Sequence, residues 1–285
     1  MKKKIVKISA LLICICLLFS GCSVASTFLG IESDDIEYTI ENGEATVNSV
    51  PNKINITRIV IPDEYEGVPV TKIADFAIVN LEYVTEIQIG KNVKEIGLWA
   101  FENNQQVTKF TVDKNNEYFC DVDGVLFTND MKTLLFYPLA KDLQNVKDDN
   151  GNDIQISEYT IPDGVETIRT KAFYKCGKIT KVHIPDSVKN IEEKAFFRCS
   201  SLKDLSLSKN VEVIGKDAFG FCSALNEINI PSTIKQIDTY AFYNCTSLLT
   251  INVDAKESDV TLGDKWYPTQ NGLAIKDLKI NWKQN

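Results

Sequence analysis

Histidine is nearly absent: the 285 residues contain one, His183. A metal centre built on several imidazoles is therefore excluded. Long apolar runs are missing too. The best candidate, Ile8 to Phe19, is about a dozen residues long, where a transmembrane helix needs roughly 20. Cationic runs occur only at the amino terminus, at Lys2, Lys3, Lys4 and Lys7. Removing residues 1–21 takes four lysines and no acid from totals of 31 basic and 39 acidic residues, which leaves 27 against 39, a net charge near −12. Such a surface repels polyphosphates and anionic lipid, so nucleic acid is excluded as a partner. What remains, 44% apolar and 25% charged, is the composition of a folded chain.

The four lysines, the apolar run and Phe19-Ser20-Gly21-Cys22 have the order of an export signal. Small residues just before a cysteine resemble the lipobox of bacterial lipoproteins. That resemblance implies cleavage before Cys22, a lipid on Cys22 and a chain tethered to the membrane on its outer side. An ordinary secretory signal cut nearby is the alternative. The expected organisation is a signal peptide over 1–21 and a lipidated cysteine with a short tether over 22–36.

What is plentiful is repetition. Segments beginning at Ile161, Ile184, Leu207 and Ile230 follow one another without a gap, which sets a 23-residue period. Residues 89–111 keep the same frame, and 61–88 fit it if EYEGV is an insertion. A fixed period in this range signals a solenoid, whose units bury their apolar faces on one another. Leu202-x-x-Leu205-x-Leu207 alternates like a short strand. Val188-x-x-Ile191 followed by Ala195-Phe196 has a spacing nearer three, which predicts a helical or 3-10 turn on the other side of the coil. One strand per unit, always in the same direction, predicts a parallel sheet with coils about 4.8 Å apart.

Residues 112–160 break the frame and read as degenerate, elaborated turns. Asp123-Gly124 and Asn129-Asp130 predict tight turns between strands, and Asp148–Asp153 a polar loop. That loop has the acidity of a calcium site but lacks glycine at the sixth position and glutamate at the twelfth. Residues 253–285 drop the period and read as a cap.

The pattern IPxxVxxIxxxAFxxCxxLxxLxL resembles the BspA-type bacterial leucine-rich repeat, over about residues 59–253. YTIENGEATV at 38–47 and the VDGVLF hairpin resemble features of the same surface proteins. The resemblance implies a curved α/β leucine-rich repeat solenoid, with strands on the concave side and short helical or 3-10 turns opposite. It also implies export to the cell surface and a role in adhesion or recognition. The expected organisation is an N-terminal β cap over 37–60, the solenoid over 61–252 and a C-terminal cap over 253–285.

Cys176, Cys199, Cys222 and Cys245 recur once per period, and Asn104 holds the same place in the unit at 89–111. Asn and Cys can both bond buried backbone, whereas Asn forms neither disulfide nor thiolate. A structural ladder is therefore expected. A disulfide between neighbours would need Cβ atoms about 3.8 Å apart, and a zinc site convergent ligands. Cys120, off the ladder, is expected to be a free thiol. Phe101, Phe173, Phe196, Phe219 and Phe242 form a column expected in the core.

The candidate binding surface is the solvent side of the sheet. One column holds Glu86, Lys109, Glu158, Lys181, Asp204 and Glu227. The next holds His183, Ser206, Asn229 and Asn252. His183 and Ser206 beside a carboxylate are the only catalytic constellation in sight, and a flat sheet supplies neither oxyanion hole nor pocket. The reading is a non-enzymatic module without cofactor or metal that binds an extracellular protein or glycan. A structural scaffold within the cell envelope is the alternative.

Overall fold

The computed structural model describes residues 30–31, 35–54, 56–148 and 150–284. The export signal and Cys22 lie outside them, as does Asp149 of the acidic loop. The chain divides into two compact units, Met1–Gln106 with Thr111–Glu117, and Val107–Phe110 with Tyr118–Asn285.

In the first unit, β1 (Gly30–Ile31), β4 (Arg58–Val60) and β7 (Glu86–Ile89) form a parallel ladder. A hairpin of β2 (Glu37–Glu41) and β3 (Glu44–Ser49) joins β6 (Val68–Ile73) and then β8 (Glu95–Ile96) in parallel. Lys72 pairs with Glu95, one period on, whereas Arg58 pairs with Glu86, a period plus five positions on. The five extra residues are EYEGV. They fold out as a hairpin of β5 (Glu64–Tyr65) on Val68 and Pro69, through Glu66 and Gly67 with φ of 50° and 76°. Positive φ at both loop residues gives the turn whose twist suits a two-residue hairpin.

The strand β9 (Lys109–Val112) is shared between the units. The second unit then opens with an antiparallel meander of β10 (Phe119–Val122), β11 (Val125–Thr128) and β12 (Thr133–Phe136). Its first turn is Asp123-Gly124, again with positive φ at both residues. Onto β12 stack the two-residue strands β15 (Thr167–Ile168), β17 (Asn190–Ile191), β19 (Val213–Ile214), β21 (Gln236–Ile237) and β23 (Thr261–Leu262), all parallel. The other side of each coil carries a longer strand. There β13 (Gln144–Lys147) pairs antiparallel with β14 (Asp153–Thr160), which continues in parallel to β16 (Ile179–His183) and β18 (Asp204–Ser206). A further parallel ladder joins β20 (Glu227–Ile230), β22 (Thr250–Val253) and β26 (Lys279–Trp282). Before β26 comes a small hairpin of β24 (Thr269–Gln270) and β25 (Leu273–Ala274).

The expected helical or 3-10 turns are replaced by two-residue strands and separate tight turns. In one coil Ala195, Phe197, Cys199 and Leu202 each donate a backbone N–H to the residue three before, at 3.0–3.2 Å. These turns do not fuse into a helix because Lys194 (φ 56°) and Arg198 (φ 63°) are left-handed. The same two places are left-handed in the other coils, at Lys171 and Lys175, Asp217 and Phe221, Tyr240 and Asn244. The inversion turns alternate N–H groups towards the next coil. Phe196 donates to the Ala218 carbonyl and Arg198 to that of Gly220, both at 2.8 Å. Backbone that a helix would satisfy internally is satisfied between coils instead.

Apolar residues fill the space between the two strand layers. Phe173, Phe196, Phe219 and Phe242 are fully buried and stack in sequence, with centroids 4.7, 5.2 and 5.4 Å apart and planes within 13°. Tyr137 extends the stack at one end, 4.9 Å from Phe173. At the other end Trp266 meets Phe242 at 71°. Each buried ring contributes about 2–3 kcal/mol by removal from water.

The left-handed positions yield a test. Asn tolerates that backbone, whereas a β-branched side chain does not. Asn244→Val should lower stability by about 1–2 kcal/mol in urea unfolding. Thr246→Val, in the same turn without positive φ, should stay within about 0.5 kcal/mol.

Candidate functional site

A strand whose alternate residues are buried must present the others to solvent. In β16, Val182 is 1% exposed while Lys181 and His183 face water. Register then sets the columns. Glu158 stands beside Lys181 and Lys181 beside Asp204, while Thr160, His183 and Ser206 form the next row. Lys181 Nζ lies 3.6 Å from the Asp204 carboxylate, both side chains at least half exposed. On the second ladder Glu227 stands beside Thr250, and Asn229 beside Asn252.

That ladder is knit by amides. Asn252 Nδ2 donates to Glu227 Oε1 at 2.9 Å and to Asn229 Oδ1 at 2.8 Å. Asn281 Nδ2 donates to Asn252 Oδ1 at 2.8 Å. Asn281 and Lys279 are thus members of the face that the sequence reading missed. Their strand pairs Thr250 with Lys279, more than a period away, because the hairpin of β24 and β25 intervenes. The usable signal was the alternation in Lys279-Ile280-Asn281-Trp282.

Two members of the expected column, Glu86 and Lys109, belong to neighbouring strands of a different sheet, β1-β4-β7-β9. Glu86, in the first unit, lies 3.5 Å from Arg58 Nε and accepts from Thr111 Oγ1 at 3.1 Å. Lys109 lies against the turn at Gly124, where an added Cβ would come within 2.6 Å of its own. The sheet carrying Glu158 continues into β13, not into the strand of Lys109. The elaboration at 112–160 interrupts the column, since an antiparallel insertion ends a parallel stack.

His183 and Ser206 are register partners on an open, exposed sheet. A shallow cavity of about 670 Å³ in the same unit is lined by residues such as Glu212, Thr233, Lys235, Asp254 and Lys283, and includes neither His183 nor Ser206. In the acidic loop, Asp148 Oδ1 accepts from the backbone of Asn150 and Asn152 at 2.9 and 2.8 Å, and its Oδ2 from Asn152 Nδ2 at 3.1 Å. The Asn152 side chain and these amides hold that carboxyl below its ordinary range. Among the described residues no three His, Cys, Asp or Glu side chains converge as a metal site.

The recurrent cysteines are buried and free. Cys199 Sγ donates to the Phe173 carbonyl at 3.2 Å, Cys222 to Phe196 at 3.2 Å and Cys245 to Phe219 at 3.0 Å. Each of these carbonyls also accepts the backbone N–H three residues on, so both lone pairs are used. Asn104 makes the equivalent contact in the first compact unit: its Nδ2 donates to the Ile78 carbonyl at 2.7 Å and to Phe101 at 3.1 Å, and its Oδ1 accepts from Leu81 N at 3.0 Å. Burial pushes the thiols of Cys176, Cys199 and Cys222 far up, away from thiolate chemistry. Cys120 is half-buried and donates to the Thr128 carbonyl at 3.3 Å. Burial, then Asp121 and Asp130, raise its pKa.

A chain that stacks parallel strands once per period around a ridge of Phe, with Asn or Cys on the turn carbonyls, is a leucine-rich repeat β-solenoid. More narrowly, the family described as BspA type leucine rich repeat region matches residues 48–129 and 141–263 in six copies, and the chain belongs to that family. Comparison with curated proteins gave no match. The solved pneumococcal vaccine antigen PcpA is 17% identical with a TM-score of 0.54, over 90% of this chain and 88% of that one. A leucine rich cell surface protein of Faecalibacterium prausnitzii A2-165 is 19% identical with a TM-score of 0.55, over 92% and 97%. At these identities the likeness is one of fold.

Two measurements check the cysteine geometry. Iodoacetamide should leave Cys176, Cys199, Cys222 and Cys245 unmodified in the native chain and alkylate all four in urea, as read by peptide mass. Cys222→Ala should lower the unfolding free energy by about 1–3 kcal/mol, through one lost hydrogen bond and a small void.

Proposed function

We propose that the chain is an exported, lipid-anchored binding module without enzymatic activity. Its parallel sheet face in the second unit contacts an extracellular protein or polysaccharide. The observation that carries this reading is the register of the polar columns. Lys181, His183, Asp204 and Ser206 stand side by side on one open ladder, and Asn229, Asn252 and Asn281 on another. Such a face offers many donors and acceptors at fixed spacing and no enclosed cavity, which suits broad recognition rather than turnover. Its ion pair is too exposed to serve stability, since pairs of that kind contribute about 0–1 kcal/mol. The cell surface named for the Faecalibacterium protein and the export-like amino terminus support the location. Anchoring rests on Ser20-Gly21-Cys22.

Binding to a panel of matrix proteins and glycans tests the face. Saturable binding that falls about tenfold or more in Lys181→Glu with His183→Ala is the expected result. Binding that survives these changes moves the site off the sheet, and binding to envelope fractions alone favours the scaffold. The anchor is tested separately. Cells expressing the chain should incorporate labelled palmitate into it and retain it in membranes, and Cys22→Ala should abolish both.

A further inference from the structure

A second surface of the same unit lies on the turn side of the coils. Beside the buried Phe stack runs an outer row of aromatic side chains, each only half-buried: Tyr174, Phe197, Phe221 and Tyr243. Successive centroids are 5.6, 5.2 and 5.4 Å apart. The row survives a break in the repeat. The coil of Phe221 has Gly220 where its neighbours carry Tyr174, Phe197 and Tyr243, and its aromatic ring comes from the following, left-handed residue. The Phe197 ring occupies the space over Gly220, 2.9 Å from where a Cβ would stand, and Phe221 meets it edge-on at 67°.

Cations sit on this row. The Arg198 guanidinium lies 5.8 Å from the Phe197 centroid and 5.4 Å from that of Phe221, and Lys175 Nζ is 5.2 Å from the Tyr174 centroid. Arg198 is solvent-exposed and takes part in none of the ion pairs among the described residues. Its guanidinium stands over the rings and outside those ion pairs, and a guanidinium is the group that receives a carboxylate bidentately. A half-buried aromatic row with an arginine over its rings has the residue content of an interface centre. On a chain with eight more acidic than basic side chains, this locally cationic strip selects the opposite charge.

We propose that the strip around Phe197, Arg198 and Phe221 docks an acidic protein segment. Apolar side chains of that segment lie along the ring edges and a carboxylate sits on Arg198. The site is separate from the sheet face, and either can fail without the other.

The test is fluorescence anisotropy with the purified full chain and a labelled peptide of alternating glutamate and leucine. A lysine–leucine peptide, polyglutamate and polygalacturonate serve as comparison probes. Arg198→Asn suits the left-handed backbone and removes the cation, and Phe221→Asn removes the ring under the same constraint. Saturable binding of the glutamate–leucine peptide, weakened about tenfold in each variant and unchanged in Lys181→Glu with His183→Ala, is the expected result. No binding of that peptide, or binding indifferent to Arg198→Asn, overturns the proposal. Tighter binding of polygalacturonate would make the occupant a glycan instead. Concentration-dependent self-association lost in Arg198→Asn would make it a second copy of the chain.

Discussion

Neighbouring coils must satisfy one another's backbone, and the other features of this fold depend on that. A coil of the stack at 161–252 holds no helix and no strand pair of its own. Its strands bond to strands of neighbouring coils, and even its turns send alternate N–H groups across, as Phe196 and Arg198 do. Such bonding tolerates no drift in cross-section, because each residue stacks on its own counterpart. Phe therefore lies on Phe, and a thiol reaches the Phe carbonyl of the preceding coil. Asn104 shows that the place demands a donor aimed at that carbonyl and not sulfur as such. Extra residues are admitted only where they leave the stack as hairpins, as EYEGV does.

The same constraint explains what the sequence discloses. Period, strand direction and the inward column were legible because stacking repeats them at one spacing: Leu205, Ile228 and Ile251 could be placed without knowing the turns. The turns were misread for a physical reason. Val188, Ile191 and Ala195 have the spacing of a helical face, and the residues that break the helix are Lys, Arg, Asp, Phe, Tyr and Asn, not Gly. Tertiary bonding holds them left-handed where their own preference would not, so no local signal marks them. The face was legible in its middle and not at its ends. Lys109 pairs in the sheet of Glu86 and not in that of Glu158, and Asn281 came in from beyond a hairpin that hid the register. Nor was the outer aromatic row read. Tyr174, Phe197 and Tyr243 share a repeat position, but Phe221 does not, and only the packing over Gly220 puts it in line.

Stacking also separates positions that are fixed from positions free to carry function. Inward strand residues, the Phe ridge and the Asn or Cys site answer to the neighbouring coil. Outward strand residues and the outer turn residues answer mainly to solvent. In the second unit these two sets differ in chemistry: charges and amides cover the sheet, aromatic rings and two cations the turns. The amide ladder uses its polar groups on itself, with Asn252 bonded to both neighbours. The Lys181–Asp204 pair is long and exposed, so it is easily exchanged for contacts with a partner. The strip around Arg198 is the converse case, an exposed cation that stands over Phe197 and Phe221 and outside the ion pairs.

A stack of identical rings has one further property that the chain must control. Parallel faces at a constant separation continue indefinitely unless something ends them, and an open end is a template for another coil or another molecule. The second unit stops its ridge by rotation rather than by truncation. From Phe173 to Phe242 each plane stays within 13° of the next, then Trp266 stands at 71° to Phe242 and Trp282 at 66° to Trp266. A steeply tilted indole beside the last phenyl ring cannot continue the parallel stacking, so the ridge has no matching surface left to extend. Lys279–Trp282 meanwhile supplies the last strand of the sheet, with Lys279 and Lys283 at its ends. Charge at a sheet edge opposes further pairing. The two tryptophans and the flanking lysines thus close by orientation and charge what the repeat would leave open, and they do so in the segment where the period is abandoned.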